Sequence, residues 1–175
     1  SPYSDIYVIN ADGTGQTRLT NDPANDYSPS WSPDGRQIAF TSRRDGNDEI
    51  YVMDNDGNNL KRLTDKSNIE ADSHDPKWSP DGNKILFSVS TAGYVSQLRM
   101  INTDGTGEII LKSNTMGEPS PVWSPDGTEI ACVFRQYYDD HWGHRDIYLI
   151  DQSGTSQVRL TNTPEREQHL AWSPV

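Results

Sequence analysis

The chain has a single cysteine, Cys132, so no intrachain disulfide can hold it together. No apolar run approaches the roughly 20 residues of a membrane-spanning helix, and membrane insertion is not expected. Hydrophobic residues are only 32% of the 175. That is too few for one thick core and suits thin apolar strips buried between stacked units. Basic residues number 15 against 26 acidic ones, and the formal charge of −11 repels phosphate backbones. A nucleic-acid partner is therefore not expected. The phosphate-cradling patterns Gly-x-x-x-x-Gly-Lys and Gly-x-Gly-x-x-Gly are missing. So is the Gly-x-Ser-x-Gly pattern of a nucleophile elbow. No stretch has helical periodicity, which predicts almost no helix. The first residue is Ser1 rather than Met and no signal-peptide pattern follows, which reads as a processed, excised or incomplete product.

What is present is one phrase in four copies. Trp31-Ser32-Pro33-Asp34-Gly35, Trp78-Ser79-Pro80-Asp81-Gly82 and Trp123-Ser124-Pro125-Asp126-Gly127 are followed by Trp172-Ser173-Pro174-Val175, and the tryptophans are 47, 45 and 49 residues apart. A period of this size marks stacked supersecondary units. Each period holds a short strand ending in Trp, a Ser-Pro-Asp-Gly turn, and an apolar strand such as Ile38-Ala39-Phe40 or Ile85-Leu86-Phe87. A variable connection leads to a third strand such as Ile50-Tyr51-Val52-Met53 or Ile147-Tyr148-Leu149-Ile150. A second turn follows at Asp12-Gly13, Asp56-Gly57, Asp104-Gly105 and Ser153-Gly154, the Asp-Gly pair being a strong hairpin signal. A polar strand closes the unit, as in Arg18-Leu19-Thr20, Arg62-Leu63-Thr64 and Arg159-Leu160-Thr161. Four short antiparallel strands per period make an all-β propeller blade. The inner strands are apolar at successive positions because neighbouring blades cover both faces, and the polar fourth strand is the outer edge.

The order Trp-Ser-Pro-Asp-Gly-x-x-Ile-Ala-Phe-x-Ser, then Glu-Ile-Tyr-Val-Met-Asp-x-Asp-Gly, then Arg-Leu-Thr, continuous from 28 to 64, resembles the TolB-type (WD40-like) propeller repeat. The resemblance covers essentially the whole chain. It implies a β-propeller and an exported bacterial setting, in the periplasm or outside the cell. Proteins with such repeats include an envelope protein, peptidases of the prolyl-oligopeptidase and tricorn types, and polysaccharide lyases, so the fold alone does not give the function.

Residues 1–175 divide into a split blade of 5–20 plus 169–173 and complete blades at 28–64, 75–112 and 120–161. That makes about four blades' worth and fifteen strands, one short of sixteen. The missing second strand of the split blade, together with the six or more blades usual in TolB-like propellers, favours part of a larger propeller. A homo-oligomeric ring and a gapped four-bladed ring remain the alternatives.

Ser-Pro-Asp-Gly and Asp-Gly turns share one end of the blades, and the variable connections share the other. Binding residues concentrate on variable loops held by a rigid scaffold. His74, His141, His144 and His169 all fall at that variable end. The stretch 136–145 departs most from the repeat and reads as a long loop carrying Tyr137, Tyr138 and Trp142, aromatic residues of the kind that anchor interfaces. These residues together with Glu118 form the expected contact surface for a protein, peptide or glycan. Counting back from each Trp brings Asp26, Asp75, Glu118 and Glu167 toward the propeller axis, where carboxylates could hold calcium through oxygen ligands. Otherwise no cofactor is expected. Arg43-Arg44-Asp45 reads as an ion-paired surface cluster. The reading is a non-catalytic TolB-like binding or scaffold module. Its alternative is the propeller domain of a larger enzyme, either a peptidase gate with the catalytic serine elsewhere or a polysaccharide lyase with a metal on the channel face.

Overall fold

The structure is a computed structural model that describes residues 2–64, 71–91, 95–116, 119–138, 141–162, 167 and 170–173, with backbone alone at 95, 114, 116, 136–138 and 141–143. Among them there is no helix. A two-stranded unit comes first, β1 (Tyr7–Val8) with β2 (Thr17–Arg18). Blade one is a four-stranded meander of β3 (Asp26–Trp31), β4 (Gln37–Ser42), β5 (Glu49–Asp54) and β6 (Lys61–Arg62). Blade two holds β7 (Ala71–Trp78), β8 (Lys84–Thr91), β9 (Val95–Asn102) and β10 (Ile109–Met116). Blade three holds β11 (Val122–Trp123), β12 (Glu129–Tyr138), β13 (His141–Asp151) and β14 (Gln157–Arg159).

The serine, aspartate and glycine of the repeated phrase each have a bond to explain them. The serine hydroxyl donates to the aspartate Oδ1 at 2.7 Å in Ser32–Asp34, 2.5 Å in Ser79–Asp81 and 2.7 Å in Ser124–Asp126. The same hydroxyl accepts the amide that opens the next strand, from Gln37, Lys84 and Glu129, at 2.9, 3.0 and 2.9 Å. Aspartate Oδ1 also takes the amide two residues on, from Arg36, Asn83 and Thr128. The glycine amide closes back on the serine carbonyl, and its φ of 70°, 74° or 72° is the left-handed conformation that glycine adopts without strain. Trp123 Nε1 then reaches across to the Lys77 carbonyl at 3.3 Å, and Trp172 Nε1 to Val122 at 3.2 Å. Lys77 and Val122 each precede the tryptophan of the previous blade, so these two indoles are rivets between blades, whereas Trp78 is buried by packing and its Nε1 makes no such bond. The Arg-Leu-Thr phrase has a similar basis: the Thr20, Thr64 and Thr161 hydroxyls accept the amides of Ile6, Ile50 and Ile147.

The core is a set of strips between blades. Val8 and Leu19 pack on the cluster of Ile6, Ile38, Phe40, Tyr51 and Met53. The other face of blade one presents Ala39, Ile50 and Val52 to Ile85, Phe87 and Val89 of blade two. Blade two in turn presents Leu86, Leu98 and Met100 to Ile130, Cys132 and Phe134 of blade three. Fully burying each such aliphatic or aromatic side chain contributes about 1.5–3 kcal/mol. Cys132 lies wholly inside this strip, where burial pushes its thiol up to about 12.

Three expectations change. The stretch 136–145 is not a long loop: β12 and β13 stay paired through Tyr137 with Trp142 and Tyr138 with His141, past a bulge after Arg135. Its residues depart from the repeat, yet aromatic side chains favour strands, and the ladder continues. The fourth strand of blade two is not an edge along its whole length. It runs on past Lys112 and pairs Thr115 with Gln136 and Met116 with Arg135, which joins blades two and three into one sheet. At the C-terminal side, residues 170–173 carry no strand, although Trp172 docks as its counterparts do.

The turn bonds carry a pH dependence. The Asp81 carboxyl is held below its ordinary value of 3.8, first by the Ser79 hydroxyl and then by the Asn83 amide. With the folded value below the unfolded one, the ionised turn stabilises the fold above pH 3.8, and that contribution fades as the pH falls through the lowered value. In Ser79→Ala, a carboxyl-detected NMR titration is expected to show Asp81 rising back toward 3.8. An unchanged titration would mean that the hydroxyl is not what holds it down.

Candidate functional site

At the variable end a cleft of about 300 Å³ opens between blades one and two, lined by Tyr27, Ser28, Asp48, Asp72, His74, Asp75 and Ser90. Two matching β-bulges shape it. The ladder of β3 with β4 slips between Tyr27 and Ser30, and that of β7 with β8 slips between His74 and Lys77. Ser28 and Asp75 sit in these bulges at φ 50° and 56°, each directly before a proline. Left-handed backbone costs a non-glycine residue about 1–2 kcal/mol, and bulges re-aim side chains at strand ends. Both strained residues line the cleft.

The cleft is polar and mildly acidic. Burial pushes the Tyr27 phenol up, and the hydrogen bond it donates to Asp48 adds to the effect. Arg43 Nε lies 3.0 Å from Asp48 Oδ1, and the Asp48 charge raises the guanidinium's pKa in return. Asp72 Oδ1 accepts the Asp48 amide at 3.0 Å. Lys77 Nζ is 2.7 Å from Asp75 Oδ1, and both are partly exposed. His74 is buried, with Nε2 2.9 Å from Ser90 Oγ. Three carboxylates thus face two cations at the rim, in a recess suited to donors or a positive charge from a ligand.

Of the residues expected from sequence, His74 and Asp75 meet in this cleft. His144 is exposed on β13. Tyr137, Tyr138, His141 and Trp142 lie in the extension of β12 and β13 at the same end of the blades. Glu118 and His169 lie outside the described residues. Of the four carboxylates expected toward the axis, Asp26, Asp75 and Glu167 lie among the described residues. Asp26 is buried and gripped by Arg44, both carboxylate oxygens standing 3.1 Å from one guanidinium nitrogen. Asp75 is paired with Lys77, and Glu167 is partly buried. Among the described residues no three His, Cys, Asp or Glu side chains gather to hold a metal. Tyr27, Asp48, Asp72 and Ser90 were not legible as site residues, because only the apposition of two blades brings them together. The Ser28-Pro29 and Asp75-Pro76 dipeptides, each three residues before a Trp, were the available signal.

The Arg43-Arg44-Asp45 cluster is more than surface. Arg44 lies over the Tyr51 and Phe40 rings at 4.8 and 5.7 Å while it holds Asp26. Asp45 Oδ2 accepts the Tyr51 hydroxyl at 2.5 Å and faces Arg62 at 2.6 Å. This network fixes the start of β3, and so the bulge that follows.

Residues 2–175 match the model of the TolB β-propeller domain. The chain belongs to the TolB β-propeller family. It is 32% identical over 138 residues to an uncharacterised protein of Agrobacterium fabrum, an alignment covering 74% of this chain and 46% of that one. A 58-residue stretch is 45% identical to the Tol-Pal system protein TolB of Geobacter sulfurreducens, covering 33% of this chain and 13% of that protein. Among solved structures, a putative TolB from Agrobacterium tumefaciens superposes with a TM-score of 0.70 at 27% identity, over 91% of this chain and 57% of that one. The TolB-type chain described here thus spans about half the length of the Agrobacterium relative and considerably less of the Geobacter one.

Removing Arg44 leaves Asp26 charged and buried without its partner, which costs about 3–5 kcal/mol. Arg44→Ala is expected to lower stability by that order in urea unfolding. A loss below about 1 kcal/mol, the range of an exposed pair, would place the pair outside the core.

Proposed function

We propose that this chain is a non-catalytic binding module of an exported bacterial protein, which takes a basic segment of a protein partner at the variable end of its blades. The cleft between blades one and two carries the reading. Its Asp48, Asp72 and Asp75 carboxylates and the phenol of Tyr27 converge on one recess, and two strained bulges aim residues into it. Strain of this kind concentrates at functional sites. The formal charge of −11 steers basic partners toward the surface. The paired extension of β12 and β13 adds a second contact element at the same end. Likeness to relatives named as Tol-Pal system proteins supports a protein partner and a periplasmic or extracellular setting.

The test is calorimetric titration with tetralysine and tetraglutamate. Tetralysine is expected to bind, more weakly as salt rises, and tetraglutamate is not. Asp75→Asn removes the charge and keeps a residue that tolerates left-handed backbone, and it is expected to weaken tetralysine binding by about tenfold, the factor that 1.4 kcal/mol represents. Glu129→Gln, at the turn end of blade three, controls for net charge and is expected to change little. Equal effects of the two substitutions, or no binding of tetralysine, would overturn the reading.

A further inference from the structure

The cleft between blades one and two already holds two basic groups, and both belong to the chain itself. Lys77 is paired with Asp75 two residues away on one strand, and both side chains are partly exposed. The Arg43 pair is built differently. Its Nε donates to Asp48 Oδ1 at 3.0 Å, and the two side chains are 51% and 7% exposed. The carboxylate is set in the wall of the cleft, and the guanidinium reaches it from solvent.

Asp48 is held from three other sides. Its amide donates to Asp72 Oδ1 at 3.0 Å, its carbonyl accepts the Ser73 amide at 2.7 Å, and its side chain accepts the Tyr27 hydroxyl. Arg43 is anchored by its backbone. Its amide donates to the Asn25 carbonyl at 3.1 Å and its carbonyl accepts the Gly46 amide at 3.0 Å. Among the described residues its side chain bonds to Asp48 alone. These differences decide which partner can leave. A guanidinium that swings away regains water, whereas a buried carboxylate needs another cation in its place. Ion pairs with one partner in solvent are weak, so a cation from a ligand can take over this one.

Asp72 stands in a different state. Its Oδ1 takes the Asp48 amide, and no cation of the described residues pairs with its carboxylate. It lines the same recess, opposite Ser90 in the ladder of β7 with β8. We propose, resting on the reading of this cleft as a site for basic segments, that Arg43 competes with such a segment for Asp48 and so sets the affinity of the cleft, while Asp72 is the carboxylate open to the segment without displacement. Arg43 is thus an internal occupant of the site, and binding exchanges one cation for another on Asp48.

The experiment is calorimetric titration of the 175-residue chain and its variants with tetralysine at fixed salt. Arg43→Gln is expected to bind about fivefold tighter, which is what about 1 kcal/mol, the upper end for an exposed ion pair, represents. Arg36→Gln makes the same change in net charge at the turn end, where the Arg36 side chain is 84% exposed. It is expected to change binding by less than about twofold, since salt screens distant charges. Asp72→Asn keeps an oxygen for the Asp48 amide and is expected to weaken binding by about tenfold. In the unsubstituted chain, the Nε–H NMR signal of Arg43 is expected to lose its hydrogen-bonded shift as tetralysine saturates the cleft. Arg43→Gln binding no tighter than Arg36→Gln, an Arg43 signal that stays put at saturation, or full binding by Asp72→Asn would overturn the competition while tetralysine binding to the parent chain keeps the cleft's role. No binding of tetralysine to either the parent chain or Arg43→Gln would overturn both.

Discussion

The contact on which everything else depends is the closure of one blade onto the next, with apolar strips of the inner strands face to face and the second turn of one blade set on the outer-strand leucine of the blade before it. A single four-stranded sheet from this chain could not persist in water. Its inner strands are apolar on both faces, and the composition is too polar to bury them in any other way. Once blades stack, each apolar strip has a partner, and the small hydrophobic fraction is enough. Positive φ is common to Gly13, Gly57, Gly105 and Gly154, and at two of them closeness adds to the need for glycine. A turn that must approach a neighbouring backbone to about 3 Å, as at Gly57 and Gly154, has no room for a side chain.

Much of this architecture was legible in the sequence because it is written in local bonds. The Ser-Pro-Asp-Gly phrase predicts its own turn, as each hydroxyl and carboxylate closes on an amide two to five residues away. The same holds for Asp-Gly, while the threonine of Arg-Leu-Thr caps an amide fourteen residues back, across the hairpin. The parts that were not legible depend on contacts between strands or blades rather than within one turn. Arg44 read as a surface cation, although its partner Asp26 lies eighteen residues back and the aromatic rings beneath it belong to two other strands. The stretch 136–145 read as a loop because it broke the repeat, but a break in a repeat does not break a ladder. Tyr27, Asp48, Asp72 and Ser90 carry no motif of their own, and they become a cleft only when blade two leans on blade one.

The cleft and the scaffold are linked through the bulges. Arg44 holds Asp26 at the start of the first strand, the ladder slips between Tyr27 and Ser30, and Ser28 turns toward the recess. In blade two Asp75 does the same beside His74. The left-handed backbone at Ser28 and Asp75 is tolerated because the ladder is paired on either side of each bulge. Variation is thus confined to one end of the blades, and the repeated turns hold the other end constant.

The measurement that bears most directly on blade closure compares two glycines. Gly154 and Gly35 both have left-handed φ, 73° and 70°, but a Cβ on Gly154 would meet Leu111 at 2.9 Å and one on Gly35 would meet nothing within 4 Å. Both alanine variants carry the left-handed penalty of about 1–2 kcal/mol, so the difference between them in urea unfolding isolates the interblade contact. Gly154→Ala should cost at least about 1 kcal/mol more than Gly35→Ala, the low end for overpacking a tight contact. Equal losses would contradict the account that close packing of each turn on its neighbour's leucine holds the propeller together.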